Sequence, residues 1–332
     1  MISFALLLAV IIMISGAITR PIRSLAQTTA EIAKGNLDVN LPLVRSNDEV
    51  GELSHAFDDM RVALKEYIQD LTETTAAKER IESELKIAHN IQMNFLPKKF
   101  PPFPEHEEFE IYAALAPAKE VGGDLYDFFL LDDERLFFVI GDVTDKGVPA
   151  ALFMAVSKTL IKGIAEHGRD KGMSPSDILM RVNNELALDN ETSMFVTVIA
   201  GELHLRTGRL RYSNAAHNRP VYIRPGQKPD WLELPGGFLL GIMMDVQYET
   251  FETVMRPGDR LLLYTDGVDE AINANDEFYT KPRILQTVAN SPSTSAEELV
   301  NDVMASVKSF ALGAPQSDDI TLLALKYNGP SS

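Results

Sequence analysis

A cluster of prolines at positions 97, 101, 102 and 104 divides the chain into two parts with different hydrophobic periodicities. Before the cluster, apolar residues recur every three or four positions, as they do along one face of a helix. From Glu108 onward they form short continuous or alternating runs, which are typical of β-strands. Because proline ends helices and interrupts central strands, we predict a helical region up to Pro97 and a separate globular domain over residues 98–328.

The chain begins with an apolar run over residues 2–18 that contains no charged side chain and is followed at once by Arg20 and Arg23. A helix of about 18 residues is roughly 27 Å long, which is enough to cross the hydrocarbon core of a bilayer. The run lacks the basic start and the cleavage site of a signal peptide, and its terminal position disfavours a buried core helix. We therefore predict a transmembrane helix over residues 1–19 of a single-pass protein in the cell inner membrane, with the remaining chain in the cytoplasm.

Two helical patterns follow the apolar run. The first ends at Gly35, and residues 37–44 then form a pattern typical of an extended connector. The second begins near Asp48, and its apolar seam consists of Val50, Leu53, Phe57, Met60, Leu64, Tyr67 and Leu71. Alternating steps of three and four residues are the heptad spacing of a parallel coiled coil. The seam weakens at Thr74 and Lys78 and recovers toward Phe95, so we predict a coiled-coil linker over residues 71–97.

The order of these segments, together with 20-RPIRSL-25 and 48-DEVGEL-53, resembles a HAMP signal-relay domain. The resemblance implies a homodimeric, parallel four-helix bundle over residues 20–70 that passes movement from the membrane to the cytoplasm. A passive dimerising stalk is the alternative. The polar seam positions 74 and 78 favour the relay, because they would allow the stalk two arrangements.

The residues after the prolines alternate between strand-like and helix-like blocks. Strand-like runs occupy residues 109–115, 125–131, 135–141, 194–203, 209–215, 220–224, 260–265 and 320–327. Helical patterns occupy residues 148–167, 174–189, 281–290 and 295–311. Because neighbouring strands are close enough to form hairpins and helices are inserted in blocks, the pattern predicts an α+β fold and not a repeating βαβ sheet.

Four acidic motifs lie where apolar runs begin or end: 122-GGDLYD-127, 141-GDVTDKG-147, 265-TDGVDEA-271 and 317-SDDIT-321. A single aspartate at such a position is usually part of a turn or a helix cap. Four of them indicate backbones that meet around a common point, and grouped carboxylates repel one another unless a cation lies between them. The chain contains no cysteine, and oxygen ligands favour Mg²⁺ or Mn²⁺ over zinc.

The formal net charge of −17 argues against nonspecific binding of nucleic acid.

The segments VGGDLYDFF, IGDVTDKGVPAALFMA, LLLYTDGVDEA and QSDDITLLALK resemble, in this order, the motifs of the metal-dependent Ser/Thr protein phosphatases of the protein phosphatase 2C (PP2C) class. Within that class the chain is similar to the bacterial sporulation and stress-response branch. The resemblance implies a helix-flanked β-sandwich with two Mn²⁺ or Mg²⁺ ions at one end. It also implies attack by metal-activated water on the phosphoserine or phosphothreonine of a partner protein, such as an anti-sigma-factor antagonist.

The resemblance also implies roles for individual residues. The implied metal ligands are Asp124, Asp142, the backbone carbonyl of Val143, Asp266, Asp318 and Asp319, of which Asp124, Asp142 and Asp266 are catalytic and Asp142 bridges the two ions. Of the last pair, Asp318 is favoured as the direct ligand by its position after Ser317. Lys119 is a candidate phosphate contact, or an ordinary solvated lysine.

Several neighbouring residues have two interpretations. Asp127 and Asp269 either support the ligands or face solvent. His217 is explained more easily by a structural hydrogen bond than by catalysis. Asp145 and Lys146 stand where the usual branch motif has Gly-His, which leaves the acid for the leaving group unassigned.

The stretch 85-LKIAHNIQMNFLP-97 joins the heptads to the globular domain. It is similar to a helix of related phosphatases that ends in a Gln-x-x-x-Leu-Pro pattern, here Gln92, Leu96 and Pro97. The similarity implies that dimer geometry sets the state of the active site. The alternative is a catalytically silent signalling module that only binds a partner. The complete set of carboxylates argues against it, because a scaffold has little use for a self-repelling cluster.

Overall fold

The computed structural model describes residues 2–40, 48–234 and 236–330. The chain forms two compact units, Met1–Glu84 and Leu85–Ser332. The first unit begins with helix α1 (Ile2–Ile14), a π-helical stretch (Ser15–Thr19) and helix α2 (Arg20–Ala33), which follow one another without a break. Helix α2 ends at Ala33 with Lys34 as its cap, and Gly35 beyond it takes a left-handed conformation with φ of 91°, which glycine adopts without strain.

In the described part of the chain, two helical stretches are long and apolar enough to cross a membrane, Ser3–Ala33 and Val148–Lys171. The second belongs to the core of the globular unit, where Met154 and Ile161 are fully buried. The apolar side chains of the first are exposed from Phe4 to Ile18, as they are in a helix that has no protein core to cover it. The N-terminal helix is therefore the candidate membrane span.

Helix α3 (Glu49–Phe95) is 47 residues long and is continuous through Thr74 and Lys78. Asp48 caps its start, since its Oδ1 accepts hydrogen bonds from the backbone N–H groups of Val50 and Gly51, both at 3.1 Å. The helix ends just before Pro97, as the sequence predicts.

The beginning of the predicted connector lies against α3. Arg61 donates a hydrogen bond of 2.9 Å to the carbonyl of Leu37, and Lys65 forms an ion pair of 2.5 Å with Asp38. The rest of the predicted connector, residues 41–44, lies outside the described residues.

In the described residues of the second unit, ten strands form two antiparallel sheets. In chain order they are β1 (Phe109–Ala116), β2 (Leu125–Asp132), β3 (Arg135–Val143), β4 (Val196–His204), β5 (Arg209–Ala215), β6 (Val221–Ile223), β7 (Asp230–Trp231), β8 (Phe251–Val254), β9 (Arg260–Tyr264) and β10 (Ile320–Tyr327). One sheet has the order β1-β10-β9-β6-β7 and the other the order β2-β3-β4-β5-β8. Every strand pair is antiparallel, as expected for hairpin-connected strands in an α+β fold.

Both faces of both sheets are covered. Residues such as Phe138 and Ile140 of β3 point between the sheets, where they pack with Leu263 and Leu325 of the other sheet. The alternate residues of β3 pack under helices α4 (Val148–Gly168) and α5 (Pro175–Ala187). Helices α6 (Lys281–Asn290) and α7 (Ala296–Phe310) cover the opposite sheet. The resulting helix-flanked sandwich confirms the predicted fold class and explains why the strand runs are apolar on both faces.

The sequence interpretation missed β7 and β8. Both are edge strands, and β7 has only two residues. In β8 half-buried and exposed residues alternate, and Val254 is 57 % exposed, so no buried apolar run marks the strand. Short edge strands of this kind carry little pattern, because only one side is paired.

A buried ion pair joins the second sheet to its helix layer. Lys158 of α4 lies 2.5 Å from the Asp127 carboxylate of β2, and their side chains are 10 % and 5 % exposed. Asp127 Oδ1 also accepts a hydrogen bond from the Phe128 N–H. Asp127 therefore neither supports the predicted ligands nor faces solvent, which corrects both interpretations of this residue.

Replacing Lys158 with Met should lower the free energy of unfolding by about 3 kcal/mol, because it leaves the Asp127 carboxylate buried without its cation. The double replacement Asp127→Leu with Lys158→Met should recover most of that loss. Urea denaturation followed by the fluorescence of Trp231, the single tryptophan, measures the change. Lys228→Met, at an exposed loop position, is the matched control. A Lys158→Met protein as stable as this control would contradict the role of the pair.

Candidate metal centre

The four acidic motifs meet because antiparallel pairing brings their strand ends to one edge of the sandwich. Leu125 at the start of β2 pairs with Gly141 near the end of β3, and Leu322 near the start of β10 pairs with Tyr264 at the end of β9. Asp124 precedes β2 directly. The predicted site residues Asp142, Asp266, Asp318 and Asp319 occupy the equivalent ends of the other three strands.

Asp124 connects the two sheets. Its Oδ2 accepts hydrogen bonds from the Thr265 hydroxyl at 2.8 Å and the Thr321 hydroxyl at 2.5 Å, which lie at the ends of β9 and β10. Its Oδ1 is buried and has no hydrogen-bond partner among the described residues. Burial, followed by the charges of Asp142 and Asp319, raises the pKa of Asp124 well above its usual range.

Asp142 lies at the centre of the acidic cluster. Burial, followed by the charges of Asp266 and Asp318, raises its pKa to about 8, and a hydrogen bond with Asp124 partly opposes that shift. The pKa of Asp266 is also raised, by burial and then by Asp318 and Glu270. These carboxylates therefore resist carrying their charges together, which is the electrostatic situation that a bound cation relieves.

The neighbouring residues Asp318 and Asp319 have different surroundings. Both oxygens of Asp319 accept backbone hydrogen bonds of 2.8 Å, from Ala118 and from Gly123. Asp318 is about one-third exposed and forms an ion pair of 2.9 Å with Lys146. Asp318 Oδ1 also accepts a hydrogen bond of 2.9 Å from the Asp319 N–H. Asp319 holds the loop over residues 118–123 in place, and Asp318 as the direct ligand stays a prediction.

That loop approaches the cluster closely enough to require its glycines. A Cβ at Gly122 would lie 1.8 Å from Asp319 Oδ2, and a Cβ at Gly123 would lie 2.7 Å from the carbonyl oxygen of Val143. Val143 is buried and donates a long hydrogen bond of 3.4 Å to the Gly123 carbonyl. The predicted ligand Val143 is thus part of the same loop contact as Asp319.

Other candidates lie outside the acidic cluster or play structural parts. Lys119 is exposed, and its side chain has no ion pair or hydrogen bond to the described residues. His217 is buried with Nδ1 2.9 Å from the Thr197 hydroxyl, and burial lowers its pKa to about 4. The ring is therefore neutral near pH 7. Asp269 accepts a hydrogen bond of 3.2 Å from Asn218.

The residue that sequence reasoning left unassigned at this site is Lys146. Its Nζ donates to the Ser317 carbonyl and pairs with Asp318, so it lies at the outer side of the cluster. Its place inside the acidic motif 141-GDVTDKG-147 was the available signal.

The acidic cluster fits divalent cations. Its donors are carboxylate oxygens with a backbone carbonyl nearby, the ligands that Mg²⁺ and Mn²⁺ prefer, and Asp124 Oδ1 is a buried acceptor without a hydrogen-bond donor among the described residues. Within the same described ranges, no three acidic or histidine side chains are arranged as a closed metal cage. The side chains form a converging acidic cluster and not a finished coordination shell.

Comparison with known proteins extends these observations. Residues 132–328 match the family described as Stage II sporulation protein E (SpoIIE), and residues 13–66 match the HAMP domain. Protein IcfG of Synechocystis is 30 % identical over 335 residues, which cover 93 % of this chain and 51 % of IcfG. Phosphoserine phosphatase RsbU of Bacillus subtilis is 30 % identical over 252 residues, which cover 75 % of this chain and 71 % of RsbU. The chain thus spans about half the length of IcfG.

Among solved structures, the SiaA-PP2C domain of Pseudomonas aeruginosa superposes with a TM-score of 0.66 at 22 % identity, covering 76 % of this chain and 99 % of that domain. This similarity concerns the fold. The sandwich and its acidic edge define a phosphatase domain of the PP2C class, whose members depend on metal ions. The chain belongs to the SpoIIE family of that class and joins its phosphatase domain to a HAMP domain.

Proposed function

We propose that this protein hydrolyses phosphoserine or phosphothreonine on a partner regulatory protein, with two Mn²⁺ or Mg²⁺ ions at the acidic cluster. The observation that carries the proposal is the convergence of Asp124, Asp142, Asp266 and Asp318 from four strand ends, with raised pKa values for the first three. The similarity to RsbU, a phosphoserine phosphatase, supports the same reaction class. An anti-sigma-factor antagonist is the substrate type that family resemblance suggests.

Some residues of the cluster would hold the ions, and others position those ligands. Asp124, Asp142, Asp266, Asp318 and the Val143 carbonyl would hold the ions. When bound, such ions would lower the pKa of a water molecule, so that it loses a proton and becomes a nucleophile near neutral pH. They would also neutralise charge on the phosphoryl oxygens. The hydroxyls of Thr265 and Thr321 orient Asp124, and Asp319 fixes the loop beside Val143. The sequence has no cysteine, and the proposed reaction requires no covalent intermediate.

Asp266→Asn should lower metal-dependent hydrolysis of a phosphoserine protein by about 100-fold or more, because it removes a carboxylate that would hold the ions beside the phosphoryl group. The full chain in detergent, assayed with and without Mn²⁺, measures this loss. Asp133→Asn, at an exposed turn between β2 and β3, is the matched control and should keep full activity. Hydrolysis that persists in Asp266→Asn would contradict the proposal that the acidic cluster is the catalytic metal site. Metal binding without hydrolysis by the wild type would instead favour a silent partner-binding module.

We also propose that the protein is a homodimer anchored in the cell inner membrane by a single span over residues 1–19. The heptad seam of α3 supports the dimer, because Leu53, Met60, Tyr67 and Leu71 are 48–65 % exposed in the single chain. Such a continuous apolar stripe calls for a partner surface, and a parallel copy presents the same stripe. The apolar N-terminal helix and the HAMP match support the anchor and the HAMP bundle over residues 20–70, followed by the linker over residues 71–97.

Leu71→Glu should weaken the dimer at least about tenfold, because it places a charge in the apolar seam of both copies. Sedimentation in detergent measures the association constant. Ala76→Glu places the same charge on α3 away from the seam and should leave the dimer intact. Equal association of the two variants would argue that the seam is not the interface.

The end of α3 supplies a physical link from the linker to the site. Gln92 is buried, its side-chain amide donates a hydrogen bond of 2.5 Å to the Gly122 carbonyl, and its Oε1 accepts one of 3.1 Å from the Gly122 N–H. His89 Nδ1 lies 2.6 Å from the Glu120 carbonyl. The linker thus holds the loop that Asp319 fixes on its other side. We propose that HAMP-linked movement of α3 regulates the phosphatase by moving this loop.

Gln92→Leu should lower hydrolysis about tenfold, because it keeps the volume of the side chain but leaves the buried polar groups of Gly122 without their partners. Asn90→Leu, on the exposed side of the same helical turn, should have little effect. Steady-state assays of both variants at saturating Mn²⁺ measure the difference. The proposed link would fail if Gln92→Leu matched the Asn90→Leu protein.

A further inference from the structure

A lysine already neutralises part of the acidic cluster. Lys146 lies in the turn between β3 and α4, and its Nζ is 2.9 Å from Asp318 Oδ2 while it also donates to the Ser317 carbonyl. The Lys146 and Asp318 side chains are 33 % and 31 % exposed, so the pair lies at the mouth of the cluster and not in its interior.

The turn directs the lysine back toward the carboxylates. Asp145 has a φ of 72° and Gly147 a φ of 86°, so the chain reverses on both sides of Lys146 before α4 begins. Besides Asp318, the charges of Asp319 and Asp266 act on the ammonium group.

The cluster therefore has two unlike halves. In the inner half, which Asp124 and Asp142 form, Asp124 Oδ2 accepts hydrogen bonds from the Thr265 and Thr321 hydroxyls, and Asp124 Oδ1 is buried with no donor among the described residues. In the outer half, Asp266 and Asp318 lie beside the Lys146 ammonium. A cation that binds the inner half displaces no positive charge, whereas one that uses Asp318 must displace the lysine.

We propose that Lys146 is an internal competitor for Asp318, which makes the outer of the two cation positions the weaker one. The inference rests on the proposed function, because it takes Asp318 as a metal ligand. Its consequence is that the outer position fills only at higher free metal concentration, so the concentration of the divalent ion controls how many molecules carry both ions. Lys146 is thus a determinant of metal affinity.

The test is a Mn²⁺ titration of the full chain in detergent, with free Mn²⁺ measured by electron paramagnetic resonance. The wild type should bind in two steps of different affinity. Lys146→Gln should tighten the weaker step on the order of tenfold, because the competing charge is gone, and should leave the tighter step unchanged. Lys146→Arg keeps the charge and should bind like the wild type. Lys228→Gln changes the same charge at an exposed loop position and should also bind like the wild type.

The outcomes separate the inference from the function on which it rests. If Lys146→Gln and the wild type bind Mn²⁺ equally, with both proteins folded by circular dichroism, the competitor role is overturned while the metal centre stands. If Lys146→Gln raises the KM for phosphoprotein at unchanged metal affinity, the lysine contacts phosphate and the competitor role is again overturned. If the wild type binds no Mn²⁺, the proposed metal centre fails, and this inference fails with it.

Discussion

Carboxylates from four strand ends are held together only because the two sheets are stiff enough to oppose their repulsion. Asp124 is fully buried beside hydroxyls of the opposite sheet, and burial, followed by the charges of Asp142 and Asp319, raises its pKa. The covered faces of both sheets provide the opposing stability, since burial of apolar side chains is the dominant favourable term in folding. The sandwich is thus a frame that keeps an electrostatically unfavourable cluster ready for a cation.

Most of the fold could be predicted from the sequence because the strands carry apolar residues on both faces. Strands β2, β3, β9 and β10 therefore appear in the sequence as apolar runs bounded by acidic turns. The helix period before Pro97 was equally clear. The edge strands β7 and β8 were not readable, since they are short and partly exposed. The hydrophobic pattern of a strand depends on the burial of its side chains, so a partly exposed strand shows only a weak pattern.

The site was predictable only as a group of residue types. The sequence places the aspartates at strand ends, but it does not show which of their oxygens accept hydrogen bonds from backbone N–H groups. Asp318 and Asp319 are adjacent, and only the structure distinguishes the one held by Ala118 and Gly123 from the one beside Lys146. Asp127 was misread for the same reason, because its partner Lys158 is 31 residues away on a helix. Long-range pairing leaves no local signature.

The paired hydrogen bonds between Gln92 and Gly122 have a consequence for the length of the linker. A side chain on a helix points in a direction fixed by its position in the turn, and each inserted residue turns that direction by about 100°. Adding or removing a whole heptad would return the glutamine to within about 20° of its original direction, whereas adding two residues would turn it by about 200°, to the opposite side of the helix. Under the proposed regulation, the catalytic domain responds to the rotational phase of its linker, and only those changes in helix length that keep this phase preserve the contact between Gln92 and Gly122.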